Sequence, residues 1–195
     1  ELGSQKKDVN ELIDLSEEEF KKLYSKTGIK HVFKISPIQN VVSLAVESIS
    51  KLTKLLPDFD VSKVNTLIHC TQTPTGYLPG DGFRIHAAAG FNKECTVIDI
   101  NNGCAGFVLS LSLALSSNEL FGNILITTSD AYSTIMRNSS RSTQAIFSDG
   151  ASATYLSFKN LRSSRILGYD SFSDGESRSA LEIESTSGEL FMNGP

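Results

Sequence analysis

One segment in the middle of the chain decides the fold, and it reads Cys95-Thr96-Val97-Ile98-Asp99-Ile100-Asn101-Asn102-Gly103-Cys104-Ala105-Gly106-Phe107. Residues 95–100 are apolar and β-rich, which predicts a buried strand. Asn and Gly tolerate positive φ, so residues 101–103 predict a sharp turn. We expect Cys104 to begin a helix that continues to Leu115. Such a turn presents its side chain at the carboxyl edge of a sheet, where open α/β folds bind ligands.

The segments on either side alternate between strand-like and helix-like patterns. Residues 64–70 and 124–128 predict two more buried strands, which we expect to run parallel because helix-like segments lie between them. One of these segments, residues 83–89, predicts a helix that ends at Gly90. Further strands are predicted at residues 153–158 and 166–172. The alternation predicts an α/β layered fold without an internal repeat.

The N-terminal part of the chain contains two helix patterns. Ser16 and Glu19 predict a capping box, in which each side chain accepts a hydrogen bond from the other residue's amide. The helix that follows is expected to end near Gly28. A second helix is predicted after Pro37, with apolar residues three or four positions apart, and Pro57 ends it.

Composition and charge restrict the classes of function. The chain has 195 residues, which suits one large domain or two small ones. It is 39% hydrophobic and carries a net charge of −4. A nucleic-acid surface would need a basic patch, whereas the lysines here are scattered. No apolar stretch is long enough to span a membrane, and no signal peptide is visible. We therefore expect neither a nucleic-acid nor a membrane partner.

The cysteines and histidines have no metal-binding spacing. An odd number of cysteines, without paired histidines, predicts no zinc site and no redox disulfide. A reducing cytoplasm is the expected compartment. The residues concerned are Cys70, Cys95, Cys104, His31, His69 and His86.

Cys104 is the candidate nucleophile. Unpaired amides at the start of a helix can bind a thiolate and favour its charged form, and they can also hold an oxyanion on a thioester carbonyl. The helix of residues 107–115 is apolar on nearly every side, which predicts central burial and a pocket for the cysteine. The alternative is an ordinary small buried cysteine, which is how we interpret Cys70 and Cys95.

Three motifs, which follow one another along the chain as they do in the family, resemble ketoacyl-acyl-carrier-protein synthase III. Residues 102–107 (Asn-Gly-Cys-Ala-Gly-Phe) resemble the nucleophile motif of that family. Residues 27–31 (Thr-Gly-Ile-Lys-His) resemble its early Thr-Gly-Ile stretch. Residues 147–153 (Phe-Ser-Asp-Gly-Ala-Ser-Ala) resemble its Phe-Gly-Asp-Gly-Ala-Gly-Ala loop. The resemblance covers nearly the whole chain.

The resemblance implies a thiolase-like fold, in which two similar α/β halves stack in five layers and the enzyme is a homodimer. Residues 1–195 would form the N-terminal half, with a mixed sheet and a buried central helix, and the start of the connection to the second half. The family's first strand and second half would be absent. Such a chain would expose a core face and be poorly stable alone.

The resemblance also implies a reaction in two stages. An acyl group moves from coenzyme A to Cys104, and the carbanion from malonyl-carrier protein then attacks the thioester. Acyl-coenzyme A and acyl-carrier protein are substrates, and no cofactor is expected. The family's catalytic His and Asn lie in the second half, so this chain alone would be inactive.

Three further positions match ligand contacts of the family. Arg141 falls where the family has an arginine beside the coenzyme A adenine, and Lys26 falls where it has an arginine near the phosphates. Leu78 falls where it has a Phe that reaches into the partner subunit's acyl pocket. The smaller Leu78 would admit a bulkier or longer acyl group, and the alternative is a plain core leucine.

Other positions depart from the family. Lys22 stands near the place of the adenine-stacking Trp, and the chain contains no Trp. Ser148 and Ser152 replace glycines, while Asp149 is interpreted as a structural turn former. These departures favour a divergent relative, such as an enzyme of a specialised pathway, over the housekeeping fatty-acid initiator.

Two other functions stay open from the sequence. One is a thiolase-fold acyltransferase that passes the acyl group to an oxygen or nitrogen acceptor. The other is a non-catalytic partner protein that kept the fold. A His and an Asn facing Cys104 from the second half would favour condensation, and a His with an acidic partner or no partner would favour another acceptor. The absence of both would favour a binding role.

Overall fold

The computed structural model describes residues 1–136, 139–157, 167–184 and 186–192. Its strands are β1 (Gln5–Asp8), β2 (His31–Lys34), β3 (Thr66–Cys70), β4 (Thr96–Ile100), β5 (Ile124–Asp130), β6 (Gly150–Leu156), β7 (Leu181–Ile183) and β8 (Leu190–Met192). Its α-helices are α1 (Val9–Leu12), α2 (Glu17–Thr27), α3 (Val41–Leu55), α4 (Asp81–Ala89), α5 (Gly106–Ser116), α6 (Asn118–Phe121) and α7 (Arg141–Gln144). The chain divides into two compact units, one mainly of residues 39–130 and 150–170 and one of residues 2–38, 131–149 and 171–195.

The first unit is built on a four-stranded mixed sheet with the strand order β4-β3-β5-β6. Strand β3 runs parallel to both β4 and β5, and β6 runs antiparallel to β5. The three parallel strands and their direction are thus as the sequence predicted. Strand β6 covers most of the strand predicted at residues 153–158, and Phe158 lies outside the described residues.

The two faces of this sheet pack against different helices. Successive side chains of a strand point to opposite faces, so Leu67 of β3 faces one core while Ile68 faces the other. The first core joins the sheet to α3 and α4, and the second joins it to α5. The buried residues of α3 keep the predicted spacing, and Gly90 ends α4 with a φ of 78°.

Helix α5 lies on the sheet along a stripe of small residues, Gly106, Ser110 and Ala114. A Cβ added at Gly106 would lie 2.1 Å from the Cys70 Sγ, so this approach requires glycine. The opposite side stays open to solvent in the described part of the chain, where Phe107 is 37% and Val108 57% exposed. The prediction that this helix is buried on nearly every side is therefore wrong for the described part of this chain.

The second unit contains the antiparallel pairs β1–β2 and β7–β8. Helices α1 and α2 pack beside the first pair around Val9 and Val32, and Leu190 of the second pair packs with Tyr132. The predicted capping box of Ser16 and Glu19 is present at the start of α2. Gly28, with a φ of 69°, ends that helix as predicted.

Asp149 joins three segments of the second unit. Its buried carboxylate accepts hydrogen bonds from the Ile35 amide at 2.7 Å and the Ser133 amide at 2.8 Å, and from the Ser133 hydroxyl. Its own amide donates to the Phe33 carbonyl at 2.8 Å, and its carbonyl accepts from the Gly3 amide at 3.0 Å. The interpretation of Asp149 as a structural residue is confirmed.

The strand predicted at residues 166–172 is wrong over the residues that the structure describes. Residues 167–172 have no regular secondary structure, and Leu167 and Phe172 are almost fully exposed. β-propensity describes side chains that fit a half-buried sheet, and no described strand pairs with this segment. Ile166 lies outside the described residues.

Replacing Asp149 with Asn should destabilise the second unit. The amide would turn an Nδ2 donor towards a buried N–H or O–H donor, which should lower the free energy of unfolding by about 2–4 kcal/mol. Urea denaturation of Asp149→Asn and of the parent protein measures this loss. Asp174→Asn is the matched control, because Asp174 is exposed and caps only its own turn. Equal midpoints for Asp149→Asn and the parent would contradict the role of Asp149.

Replacing Gly106 with Ala should force α5 away from β3. The new methyl group would overlap the Cys70 Sγ, and overpacking of this kind costs about 1–3 kcal/mol of unfolding free energy. Cys70→Ala removes the sulfur, so the double variant should lose less than the sum of the two single variants. Denaturation of all four proteins gives this coupling. If the losses of unfolding free energy in the two single variants add up to the loss in the double variant, the two residues are not in steric contact.

His69 should make the stability of the first unit depend on pH. Its ring is buried, with Nδ1 3.0 Å from the Thr127 Oγ1. Burial lowers the pKa of His69 below its usual value of 6.5, and nearby carboxylates only partly offset this shift. Because the folded chain resists protonation, the stabilisation is complete above about pH 6.5 and decreases as the pH falls below that value.

Unfolding free energies measured from pH 8 to pH 5 should fall more steeply for the parent than for His69→Gln. The difference in slope is at most about 1.4 kcal/mol per pH unit for one proton. The carboxyl group of Asp130, whose pKa burial raises, is present in both proteins and cancels in the comparison. Parallel pH profiles would contradict the assignment to His69.

Candidate active site

Cys104 lies where β4 leads into α5. Residues 103–105 form a single 3₁₀ turn, and α5 begins directly after it at Gly106. The sequence predicted that the helix begins at Cys104. It begins two residues later, at Gly106. Gly103 has a φ of 58°, which is the positive φ that the Asn-Asn-Gly turn predicted. The first amides of such a turn precede any intrahelical acceptor, so the Cys104 backbone can donate to a bound oxyanion.

The Cys104 side chain is exposed, whereas those of Cys70 and Cys95 are buried. The prediction that Cys104 lies at the bottom of a pocket is wrong for this chain, because the side of α5 next to it is open. Burial raises the pKa of Cys70, although the Asn102 backbone opposes the shift with a hydrogen bond. Burial also raises the pKa of Cys95. Both buried thiols therefore keep their protons at neutral pH, and Cys104 is the accessible one.

Residues at and after the end of β3 contact the turn of residues 103–105, which contains Cys104. Cys70, the last residue of β3, receives the Asn102 backbone hydrogen bond and touches Gly106. A Cβ added at Gly103 would lie 3.3 Å from the Gln72 Nε2, so the Gln72 side chain lies directly against the turn. Residues on both sides of Cys104 are thus in contact with the segment that follows β3.

Asp130, at the end of β5, fixes the segment that follows β3. Its Oδ1 accepts from the Gln72 amide at 2.7 Å, the Thr73 amide at 3.1 Å and the Thr73 hydroxyl at 2.9 Å. The Thr71 hydroxyl donates to the same oxygen at 3.1 Å. Burial raises the pKa of Asp130, and these hydrogen bonds oppose the shift. Asp130 was not among the predicted site residues, although an Asp at the end of a buried apolar strand was a usable signal.

Leu78 lies on the loop between β3 and α4, next to Tyr77. Their side chains are 92% and 95% exposed. Among the described residues, Leu78 is therefore exposed and not part of a core. Leu78 and Cys104 both belong to the first unit.

Lys26 and Arg141 belong to the second unit. Lys26 is exposed in the last turn of α2. Arg141 begins α7, and its Nη1 donates to the Asp14 carbonyl at 3.2 Å. Lys22, which the resemblance places near the family's Trp, is exposed and pairs with Glu18 at 3.0 Å.

The described residues contain no group of three or more His, Cys, Asp and Glu side chains arranged to hold a metal ion. Within the same residues, every helix is too short or too polar to cross a bilayer.

The sequence model of one family, 3-oxoacyl-[acyl-carrier-protein] synthase III, matches residues 98–175. The chloroplastic β-ketoacyl-[acyl-carrier-protein] synthase III of Arabidopsis thaliana is 27% identical over 96% of this chain and 46% of its own length. The β-ketoacyl-[acyl-carrier-protein] synthase III of Neorickettsia sennetsu is 29% identical over 77% of this chain and 48% of its own length. The chain thus spans about half the length of the curated relatives it matches.

The fold comparison agrees with the sequence comparison. The crystal structure of a β-ketoacyl-[acyl carrier protein] synthase III from Thermus thermophilus superimposes with a TM-score of 0.83 and 21% identity, covering all of this chain and 63% of the other. At that identity the match establishes the fold alone. The Cys104 motif lies inside the matched region of the family. In sequence and in its thiolase-like α/β fold, this chain is therefore similar to the β-ketoacyl-[acyl-carrier-protein] synthase III proteins.

Proposed function

We propose that Cys104 is the acyl-accepting nucleophile of a condensing acyltransferase. The observation that carries this proposal is the exposed thiol at the strand-to-helix turn, while the other two thiols are buried. The Cys104 thiolate attacks the carbonyl carbon of an acyl thioester, the carbonyl π electrons move to the oxygen, and the donor thiolate leaves. The product is an acyl thioester on Cys104.

The turn geometry supports this first stage in two ways. Amides at the beginning of α5 carry the positive end of the helix dipole, which favours a thiolate and a developing oxyanion. The residues after Cys104 are Ala105 and Gly106, which are small enough for an acyl donor to approach the sulfur closely. The first effect acts on charge that develops in the transition state, which is where stabilisation accelerates a reaction.

The second stage is condensation with a malonyl-carrier-protein substrate. Loss of carbon dioxide generates a carbanion, which attacks the Cys104 thioester, and the cysteine thiolate leaves as the new carbon–carbon bond forms. In this proposal the present chain is the N-terminal half, and a second half supplies the His and Asn. The chain alone is then inactive, and the active form is a homodimer.

The remaining site residues enter the proposal as ligand contacts. Arg141 and Lys26 carry exposed positive charges that suit the adenine and phosphate parts of a coenzyme A donor. Leu78 is exposed on a loop tip, which suits a side chain that enters the acyl pocket of a partner subunit. The three free cysteines are compatible with a reducing compartment such as the cytoplasm.

The first experiment is intact-mass spectrometry of the full-length protein after incubation with a series of acyl-coenzyme A thioesters. We expect a mass increase of one acyl group in the parent and none in Cys104→Ala. Cys95→Ala is the matched control, because Cys95 is buried and should leave acylation unchanged. Acyl-carrier proteins are tested next, since Lys22 stands near the place of the family's Trp.

The outcomes of these acylation experiments distinguish among the functions that the sequence left open. An acyl adduct that is consumed by malonyl-carrier protein, with release of carbon dioxide, supports condensation. An adduct that is consumed only by an alcohol or an amine supports transfer to oxygen or nitrogen. A folded protein that takes no acyl group from either kind of donor would overturn the enzymatic proposal.

A further inference from the structure

The Cys104 amide, which is the proposed oxyanion donor, belongs to the peptide bond that joins Gly103 to Cys104. Gly103 has a φ of 58°, and glycine changes its backbone angles more easily than any other residue. The turn therefore needs glycine for its shape, yet glycine alone does not hold the direction of the amide. An oxyanion donor is most effective when it already points at the place where the negative charge develops.

Contacts with the backbone and with a sulfur atom hold the two ends of the turn of residues 103–105. The Gly106 amide donates to the Gly103 carbonyl, which closes the 3₁₀ turn. The Cys70 sulfur accepts a hydrogen bond from the Asn102 backbone and lies against Gly106. Hydrogen bonds of a 3₁₀ turn have poorer geometry than those of an α-helix, so this single bond leaves the Cys104 amide some freedom. A contact at Gly103 itself would remove that freedom.

The Gln72 side chain supplies such a contact. A Cβ built on Gly103 would lie 3.3 Å from the Gln72 Nε2, 3.8 Å from its Cδ and 4.0 Å from its Oε1. The terminal amide group of Gln72 therefore occupies the space beside the Gly103 Cα where a side chain would stand. Because that space is filled, the Gly103 backbone cannot move or rotate in this direction without displacing Gln72.

The backbone of Gln72 is itself fixed on the sheet. Its amide donates to the Asp130 Oδ1 at 2.7 Å, and the Thr73 amide and hydroxyl donate to the same oxygen at 3.1 and 2.9 Å. On the other side of Gln72, the Thr71 amide donates to the Ile100 carbonyl at 3.2 Å. This last bond joins the segment after β3 directly to the end of β4, so Gln72 and the turn are anchored to the same edge of the sheet.

We propose that Gln72 is a positioning residue, which holds the peptide between Gly103 and Cys104 so that the Cys104 amide points at the oxyanion of the attacked carbonyl. This inference rests on the proposed function, because only acyl transfer to Cys104 develops that charge. In this role Gln72 acts through the turn, and the Cys104 amide remains the group that donates. The effect belongs to the transition state and not to the binding of the acyl donor.

Gln72→Ala in the full-length protein removes the contact, and two reactions of Cys104 are compared. With an acyl thioester the thiolate attacks a carbonyl carbon and an oxyanion forms. With iodoacetamide it attacks a saturated carbon, iodide leaves and no oxyanion forms. The maximal rate of acylation should fall about tenfold, which is less than the roughly 10²–10³-fold cost of removing an oxyanion donor. The half-saturating thioester concentration and the alkylation rate should match those of the parent.

Three further variants show whether the contact with Gly103 carries the effect. Gln72→Met keeps the length of the side chain and should retain most of the acylation rate. Gln72→Asn withdraws the amide from Gly103 by one methylene and should slow acylation, so it replaces Gln72→Ala if that protein does not fold. Gln39→Ala is the matched control and should match the parent in both reactions. Gln39 is also a half-buried glutamine of the first unit, but it precedes α3, which packs on the sheet face opposite α5.

The comparison of the two reactions separates failure of this inference from failure of the proposed function. Equal losses of acylation and alkylation in Gln72→Ala would mean that Gln72 acts on the thiol, and they would overturn the inference. Unchanged acylation in Gln72→Ala, or a Gln72→Met protein as slow as Gln72→Ala, would overturn it as well. A parent protein that is alkylated at Cys104 but accepts no acyl group would refute the proposed function, and this inference would fall with it.

Discussion

Three parallel strands that end together at one edge of a sheet position Cys104, the segment that follows β3 and Asp130. Cys104 follows β4, the Thr71–Thr73 segment follows β3, and Asp130 ends β5. Because the strands are in register, their carboxyl ends bring residues that are far apart in sequence to neighbouring positions. The close approach of α5 to β3 at Gly106 then fixes the turn that carries the thiol. A shift of one strand by one residue would move its side chains to the opposite face and dismantle the site.

In both units, aspartate side chains hold loop backbone in place by accepting hydrogen bonds from its amides. Asp130, Asp99 and Asp81 hold backbone amides at the sheet edge, and Asp149 holds three segments of the second unit. An aspartate can accept several hydrogen bonds within a short reach, which suits loops whose amides have no partner in a sheet or helix. A buried carboxylate is costly unless its oxygens are satisfied, so these contacts also make the loop conformations specific.

Local patterns in the sequence were sufficient for the features that depend on a few neighbouring residues. The Ser16 capping box, the helix ends at Gly28 and Gly90 and the positive φ of Gly103 each follow from one residue type in one local context. Strands β3 and β5 could also be predicted, because a strand buried on both faces has a continuous apolar run. The burial predicted for β4 is wrong, since Thr96 and Asp99 are exposed.

Features that depend on contacts between distant segments could not be predicted in this way. The exposure of Cys104 depends on whether anything covers α5, which the apolar sequence of that helix cannot reveal. The missing strand at residues 167–172 depends on a pairing partner. Asp99 lies inside the quoted segment, yet its role appears only when β4 is placed beside α4.

Because one side of α5 is open, the solvent accessibility of the Cys104 thiol depends on what covers that side of the helix. Phe107 and Val108 follow Cys104 closely in the chain and share its access to solvent. Anything that settles on this side of the helix will shield the sulfur at the same time. The speed at which a small thiol reagent modifies Cys104 therefore measures how complete the surrounding site is, without any need for turnover.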